Sequence, residues 1–375
     1  MPRTLVLTND FPPRIGGIES FVADACELLD RDVVVYASGP AGDRRGDTGR
    51  GDVGRGYPVV RGGPVLTAGP ATIRAAVRVL QEHGADRVLL GAAAPLGLVA
   101  PALRRAGATR VVGLTHGHEV WWARVPAARR LLRRIGDSCD HLTSISDFTT
   151  AQIAPALSVE ARARMLRLAP PVDGTLFRPE PGARDPRPRC VAVGRFVVQK
   201  GLDALVTAWR SVQDGWPTGA VRPLLVLVGD GPQRTALLRQ VAHLDLTSAV
   251  RFTGPLPRTA VVAELQAAQV FALPVRTRWA GLNAEGLGLA AIEAAACGLP
   301  VVVGDSGGAP ETLVEGRSGH VVVASNPGRL AAVLTGLLLE PERAAAMGAA
   351  GRRYVLSRYS PERARSTLRR ALGLD

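Results

Sequence analysis

Two cations stand close together after a short apolar run, and their types and spacing suit the binding of a diphosphate. Gly194 and Arg195 follow the run 190–193, and Lys200 comes five positions after Arg195. Lys200 is the only lysine among 46 basic residues, which indicates that the rigid fork of arginine cannot replace a compact ammonium there. Two such charges would offset a diphosphate and assist its departure as a leaving group without a metal ion. The alternative is a surface lysine that survived a strong coding bias by chance.

A pair of glutamates flanks a glycine-rich turn further along the chain. Glu285 precedes the turn, Glu293 lies within a predicted helix, and seven residues separate them. Along a helix this spacing spans up to roughly 12 Å, so the carboxylates suit two separate hydroxyl-bearing parts of one ligand, such as a sugar ring and a ribose. Gly286 and Gly288 leave backbone N–H groups bare where the helix begins, which favours phosphate. The alternative is that both glutamates are helix-end and surface charges.

The first half of the chain carries two further candidate ligand sites at predicted strand ends. In one, two prolines and then Gly16 and Gly17 precede a helix, so bare backbone N–H groups suit a phosphate or another polar ligand. In the other, the sequence HGHE begins at His116 after an apolar run. That histidine either hydrogen-bonds a sugar hydroxyl, shifts a proton or merely caps a turn. His118 and Glu119 add metal-ligating side chains, but the spacing departs from the HExxH motif, and we expect no metal.

The alternation of short apolar runs with helical patterns predicts an α/β fold with two doubly wound parallel sheets, each covered by helices on both faces. We expect a first domain at 1–180, a second at 181–355, and a last helix within 356–375 that packs back on the first. The segment 177–188 has the composition of a linker, and 42–63 that of a mobile loop. The predicted strands are 4–7, 32–36, 87–90, 110–114, 142–145, 165–168, 190–193, 224–228, 250–252, 270–273, 300–303 and 319–323.

The overall composition narrows the classes of function. The net charge of +13 favours anionic partners, although coding bias explains part of it. The four cysteines form no CxxC pair, which argues against a zinc cluster or a disulfide scaffold. The patterns of a nucleic-acid binder are missing, so we expect no nucleic-acid partner and keep a non-catalytic polyanion binder as a distant alternative. Gly229 and Gly231 belong to a turn that has Arg234 where a dinucleotide fingerprint needs a small residue, which argues against an oxidoreductase.

A membrane surface remains open as a partner. The chain starts without a basic-then-apolar leader, and no apolar run reaches about 18 residues, so we expect a cytoplasmic protein. Trp121 and Trp122 are followed by Arg130, Arg133 and Arg134, a combination that suits peripheral contact with an anionic inner leaflet. The alternative is a solvated helix face above core leucines.

Five motifs in order give the chain a family resemblance. HGHE, VGRFVVQKG, LVGDGP, EGLGLAAIE and GDSGGAPE resemble the retaining glycosyltransferases of family 4, which have the GT-B fold of two Rossmann-like domains facing across a cleft. TNDFPPRIGGIES and VRTRWAGLNAEGLGL are similar to the actinobacterial mannosyltransferases of that family. The resemblance implies mannose transfer from GDP-mannose to phosphatidylinositol monomannoside in an α-1,6 linkage. It also implies an acceptor-binding first domain, a nucleotide-sugar-binding second domain and no cofactor.

The matched motifs also imply roles for individual residues. Enzymes of this family retain the anomeric configuration without a metal, and a donor phosphate oxygen takes the acceptor proton in a front-face displacement. The implied roles are donor diphosphate for Arg195 and Lys200, transferred sugar for Glu285 and His116, ribose for Glu293, diphosphate and acceptor for Gly16 and Gly17, and donor contact for Gly194, Gly229, Gly231, Gly286, Leu287, Gly288 and Leu289.

Three departures from the family pattern keep a second interpretation open. Gln269 stands where aspartate is common, Asn283 where the mannosyltransferases carry aspartate, and Ala290 and Ala291 replace bulkier residues. None removes a charge from the diphosphate site. The alternative is a paralogue that uses another nucleotide sugar on an aminocyclitol or another secondary metabolite.

Overall fold

The computed structural model describes residues 3–14, 16–39 and 55–375. They form two compact units, each with its own sheet. The first unit comprises the residues up to Pro171 together with Pro361–Asp375, and the second is Val172–Ser360. Among the described residues, no helix is both long and apolar enough to cross a membrane.

The first unit contains a parallel sheet built from buried, largely β-branched and aliphatic segments. In the described residues its order is β3-β2-β1-β4-β5-β6-β7, so the chain winds outward in both directions from a central β1. Loops diverge on either side of such a switch point, which is where ligands bind in open α/β sheets. The strands are β1 (Arg3–Thr8), β2 (Val33–Ala37), β3 (Val59–Arg61), β4 (Ala85–Leu90), β5 (Arg110–Gly113), β6 (His141–Ser144) and β7 (Leu166–Arg167).

Helices connect these strands and bury their apolar faces on the sheet. Ala76, Val79 and Leu80 of the second helix, for example, lie in the core beside the buried residues of the central strands. The helices are α1 (Gly17–Leu28), α2 (Pro70–Glu82), α3 (Ala100–Arg105), α4 (Glu119–Arg124), α5 (Pro126–Ser138), α6 (Asp147–Ile153) and α7 (Val159–Ala163).

The second unit repeats the same winding. Its described sheet is parallel, with the order β10-β9-β8-β11-β12-β13, so the loops after β8 and β11 leave the sheet at its switch point. The strands are β8 (Arg189–Val193), β9 (Leu224–Val228), β10 (Val250–Gly254), β11 (Val270–Leu273), β12 (Val301–Gly304) and β13 (Gly319–Val322). The helices are α8 (Leu202–Asp214), α9 (Arg234–His243), α10 (Arg258–Ala267), α11 (Leu289–Ala296), α12 (Pro327–Leu339) and α13 (Pro341–Arg358).

The last helix, α14 (Pro361–Leu372), belongs to the first unit. Leu368 and Ala371 are fully buried, and Arg87 of β4 donates from Nε to the carbonyl oxygen of Leu372 at 2.8 Å. The chain therefore completes the first unit only after it has passed through the second.

The sequence predictions of fold class and of the twelve strands are confirmed, with ends that differ by one or two residues. The loop predicted at 42–63 is corrected in part, because Val59–Arg61 pairs with β2 as strand β3. Residues 42–54 of that segment lie outside the described residues. The apolar pattern of this short strand cannot be recognised in the sequence, because glycines and arginines surround it.

The proline-rich segment 177–188 is part of the second unit rather than a free linker. Phe177 is fully buried, its carbonyl oxygen accepts from Arg352 at 2.8 Å, and Arg187 donates from Nε to the carbonyl oxygen of Arg222 at 2.9 Å. The second unit accordingly begins at Val172, nine residues before the predicted start at 181, and ends at Ser360 rather than at 355. Composition alone did not reveal the anchoring contacts.

Candidate active site

An ion pair joins two of the predicted site residues of the second unit. Lys200 Nζ lies 2.7 Å from Glu285 Oε2, and the side chains are 21% and 12% exposed. Lys200 comes from the loop between β8 and α8, and Glu285 from the loop between β11 and α11, so both stand at the switch point of the sheet. The sequence predicted each residue in a ligand site but did not predict that they pair.

Local backbone geometry fixes the position of Lys200. Residues Val198–Lys200 form one turn of 3-10 helix, which Gly201 ends with a left-handed φ of 67° before α8 begins. A Cβ at Gly201 would collide with the carbonyl oxygen of Pro274. Only glycine combines that conformation with so close a backbone approach, so the turn that carries the ammonium is tightly constrained.

Arg195 provides a second, free cation in the same loop. It is exposed, and its guanidinium forms no hydrogen bond or ion pair with another described residue. A guanidinium in this state has all its donors available for a bidentate contact with phosphate. Among the described residues, the loop thus offers one cation without a partner and one cation whose carboxylate partner a ligand has to displace.

The glycines of the two neighbouring loops allow their backbones to touch. Gly229 follows β9 with a φ of 131°, and a Cβ there would collide with the carbonyl oxygen of Gly194. Beside it, Phe196 donates from its backbone N–H to the carbonyl oxygen of Asp230 at 2.8 Å. Gly231 packs equally closely on the backbone of Phe196. These glycines therefore hold the loop of Arg195 and Lys200 against its neighbour.

The start of α11 is open to an anion. Gly288 is its N-cap residue, and in the described part of the chain no side-chain hydrogen bond caps the helix, so the first N–H groups lack a side-chain acceptor there. Glu293 lies half-buried inside the helix, and Leu287 is buried beneath the turn. The half-buried Gly286 and Leu289 complete the predicted loop around this helix start. This arrangement suits a phosphate at the N-terminus and a hydroxyl-bearing group near each carboxylate.

Two residues that sequence reasoning missed hold the backbone of Glu285. The N–H of Glu285 donates to Ser306 Oγ at 3.2 Å, and the Oγ atoms of Ser306 and Thr277 share a hydrogen bond of 2.8 Å. The N–H of Gly308 donates to the carbonyl oxygen of Glu285 at 2.9 Å. Ser306 lies in the motif GDSGGAPE and Thr277 in VRTRWAGLN, two motifs that supported the family resemblance but were not assigned a role in the site.

In the first unit, His116 lies at the end of β5 and contacts the loop after β4. Its Nε2 is 2.5 Å from the carbonyl oxygen of Gly91, and the ring of Phe21 meets it edge-on at 5.7 Å. Burial lowers the pKa of His116, which favours the neutral ring. Because a carbonyl oxygen only accepts, Nε2 carries the proton and Nδ1 is left as an acceptor.

A fully buried carboxylate shapes the HGHE loop. Glu119 Oε2 accepts from the backbone N–H groups of His116 at 2.9 Å and Gly117 at 3.2 Å. Its Oε1 lies 3.1 Å from His118 Nε2. Glu119 therefore fastens the loop, a role that the sequence did not indicate. The part of the chain that the structure describes has no group of three or more His, Cys, Asp or Glu side chains arranged for a metal ion.

Gly16 and Gly17 stand where α1 begins. Gly16 is the N-cap residue, no side chain caps the helix, and Gly17 is exposed with open space around it. Among the described residues no side-chain hydrogen bond caps this helix, but the Glu19 carboxylate lies against Gly16, so an anion at this helix start would have to displace it.

Four of the five residues predicted to touch a membrane are exposed. Arg130, Arg133 and Arg134 are all exposed on α5, and Trp121 is 45% exposed on α4. Trp122 instead packs, half-buried, against the core of the first unit. Its place in the predicted membrane surface is corrected for that reason, since a packed ring is withdrawn from solvent.

A fold of two doubly wound parallel-sheet units, with candidate residues in the loops that follow their strands, is that of a GT-B glycosyltransferase. The family model for glycosyltransferase family 4 matches residues 15–173, and that for glycosyl transferases group 1 matches residues 174–354. The chain belongs to this family of glycosyltransferases, and it is an enzyme of that class.

Relatives and solved structures agree with this membership. The chain is 42% identical, over 96% of its length and 95% of the relative's, to the GDP-mannose-dependent alpha-(1-6)-phosphatidylinositol monomannoside mannosyltransferase of Mycobacterium tuberculosis. The enzyme of the same name from Mycolicibacterium smegmatis is 41% identical over 95% of this chain and 94% of that one. Sucrose-phosphate synthase from Thermosynechococcus elongatus shares the fold, with a TM-score of 0.79, 21% identity and 98% coverage of both chains.

Proposed function

We propose that the protein transfers mannose from GDP-mannose to phosphatidylinositol monomannoside, forming an α-1,6 linkage with retention and without a metal. The observation that carries this proposal is the 42% identity with a mannosyltransferase of that specificity along almost the whole of both chains. The geometry of the second unit supports the donor class, since a free cation, a paired cation and an uncapped helix start suit the diphosphate of a nucleotide sugar.

The ion pair between Lys200 and Glu285 gives the donor a defined exchange to perform. A diphosphate that binds Arg195 would attract Lys200 away from its partner 2.7 Å distant. Glu285 is then released to accept hydrogen bonds from hydroxyls of the transferred sugar. Binding of the donor thus replaces one ion pair by two better-matched contacts, and the two cations stabilise the charge that develops on the leaving diphosphate.

The remaining assignments follow the same chemistry. Glu293, inside α11, would bind the hydroxyls of the ribose, and the uncapped N–H groups of that helix would face phosphate. His116 would accept a hydrogen bond from the sugar through Nδ1, because Nε2 is committed to Gly91. In the retaining step a donor phosphate oxygen takes the proton of the acceptor hydroxyl as the new glycosidic bond forms on the face the diphosphate leaves. Gly16 would lie beside diphosphate and acceptor.

One of the three sequence departures has a structural explanation. Gln269 accepts from the N–H of Arg189 at 2.6 Å and donates to the carbonyl oxygen of Asp185 at 2.7 Å, so it fastens β8 to the segment before it. Because Gln269 has this structural role, its presence does not indicate a different substrate. Asn283 stands two positions before Glu285 and keeps a paralogue with another donor or acceptor as the second candidate.

The protein would work at the inner face of the plasma membrane, where its lipid acceptor lies. The exposed arginines of α5 and the exposed ring of Trp121 support contact with an anionic leaflet.

Donor choice is the direct test of the proposed function. Thermal shift and donor hydrolysis with GDP-mannose, UDP-glucose and UDP-N-acetylglucosamine should rank GDP-mannose first, and transfer to phosphatidylinositol monomannoside should follow. A response to UDP sugars with none to GDP or GDP-mannose would remove the mannosyltransferase proposal in favour of the paralogue.

A further inference from the structure

Arg276, after β11, binds the turn that carries Lys200 from three sides. Its backbone N–H donates to the carbonyl oxygen of Gln199 at 2.8 Å, and its Nε donates to that of Val198 at 2.9 Å. Its Nη2 reaches both carboxylate oxygens of Asp203, at 2.8 and 2.9 Å, in the first turn of α8. The planar fork of arginine suits this use, because it satisfies a carbonyl and a carboxylate at once.

Thr277, the next residue, reaches the turn that carries Glu285. Its hydroxyl bonds to Ser306 Oγ, which accepts from the N–H of Glu285. Ser306 is fully buried, whereas Thr277 is exposed, so the threonine connects the buried hydroxyl to the surface of the loop. The dipeptide therefore contacts the turn of Lys200 directly and the backbone of Glu285 through Ser306, although Lys200 and Glu285 are 85 positions apart in sequence.

We propose that Arg276 and Thr277 are positioning residues that set the Lys200–Glu285 geometry, Arg276 through the turn of Lys200 and Thr277 through Ser306. This inference rests on the proposed function, because it assumes that Lys200 binds the donor diphosphate and Glu285 the sugar. The physical need is clear, since a partly exposed ion pair of long side chains holds its own geometry only weakly.

The Arg276 arm is tested by nucleotide affinity. Arg276→Lys keeps the charge but loses the fork, so titration calorimetry with GDP and UDP should show at least about tenfold weaker binding of the preferred nucleotide. In a Lys200→Met background the same exchange should weaken binding no further, because the group that Arg276 positions is gone. Asp203→Asn, which removes one partner of the fork, gives the same answer if Arg276→Lys fails to fold.

Arg210 supplies a matched control for this exchange. It also joins a carbonyl oxygen, that of Leu244 at 3.2 Å, to a carboxylate, that of Asp214, in the same unit. Arg210→Lys should leave the nucleotide affinity within about threefold of the wild type, because Arg210 touches neither turn.

The Thr277 arm is tested by separating turnover from binding. Thr277→Val keeps the shape and removes the hydroxyl, so kcat should fall at least about tenfold while the affinity for the free nucleotide, which has no sugar, stays unchanged. Thr277→Ser keeps the hydroxyl and should restore turnover.

Several results would overturn the inference. They are wild-type nucleotide affinity in Arg276→Lys, a further loss in the Lys200→Met background, wild-type kcat in Thr277→Val, or loss of activity matched by a lower thermal midpoint. Full activity in Lys200→Met and Glu285→Gln would instead refute the proposed site itself, and the inference with it. Large losses in those two variants with none in the Arg276 and Thr277 variants would refute the inference alone.

Discussion

Lys200 and Glu285 form an ion pair of 2.7 Å between loops that are 85 positions apart in the sequence. Their chemistry was readable from a lone lysine and a spaced acid pair, because few structural roles demand an ammonium in an arginine-rich chain. Their contact was not readable, since it depends on the exact conformations of two turns that follow the neighbouring strands β8 and β11. Glu119 is a harder case, because its spacing argued against a metal ligand but did not indicate that its buried carboxylate accepts two backbone N–H groups of the loop.

The exchange Lys200→Arg, conservative in charge, should cost at least about tenfold in kcat/KM, or about 1.4 kcal/mol of transition-state stabilisation. The longer, planar guanidinium cannot both fit the constrained turn beside Glu285 and rotate toward phosphate. Steady-state kinetics of purified enzyme measures this. The reciprocal exchange Arg195→Lys should lose less, because Arg195 is exposed and unconstrained. Wild-type turnover in Lys200→Arg would show that the site does not require lysine and that Lys200 survived the coding bias by chance.

The neutral state of His116 predicts a pH dependence of stability. Because burial lowers its pKa, the folded protein binds a proton there less readily than the unfolded chain. The free energy of unfolding should therefore fall as the pH drops below about 6.5 and be insensitive to this group above that value. Urea unfolding at about pH 5.5 and 7.5 should show a smaller difference in His116→Gln than in the wild type. His243→Gln, which replaces an exposed histidine, should keep the full difference; equal behaviour of all three proteins would contradict the prediction.

At the scale of elements, the alternating apolar runs predicted every long strand, because a parallel strand buried on both faces must be continuously apolar. Val59–Arg61 escaped prediction, since it lies in a glycine- and arginine-rich segment with little periodicity. The prediction of a linker at 177–188 was wrong, because it rested on the proline-rich composition alone. Phe177 and Arg187 anchor this segment to the second unit.

Helix α5 carries the membrane prediction. Its buried side, with Leu132 and Ile135, packs on the core, while Arg130, Arg133 and Arg134 are exposed. Reversing these three charges with glutamate should abolish co-sedimentation with anionic vesicles at low salt, because each arginine near the surface contributes about 1 kcal/mol.

The control for that experiment lies on another helix. Exchange of the exposed arginines Arg343, Arg353 and Arg358 of α13 for glutamate changes the net charge by the same amount. Vesicle binding should survive it. Equal loss in both triple variants would indicate attraction by overall charge, and undiminished binding in the α5 variant would refute a role for that helix.

At the scale of the whole molecule, both units wind outward from a central strand and carry candidate residues in loops that follow their strands. Repetition of the strand–helix pattern made this architecture predictable, because parallel strands need a helix between them and ligands bind at the switch point. The division of the chain was less predictable. Val172 donates from its N–H to the carbonyl oxygen of Tyr359 at 2.8 Å, a contact between residues at the two ends of the second unit that no local pattern indicates.

The return of α14 to the first unit orders the events of biosynthesis. A ribosome that has released residues up to Pro171 has not yet made the helix whose Leu368 and Ala371 complete that unit. The second unit, by contrast, is continuous from Val172 to Ser360 and has all its parts once synthesised. All parts of the second unit are therefore available for folding before those of the first, and termination of synthesis before Pro361 leaves the first unit without α14.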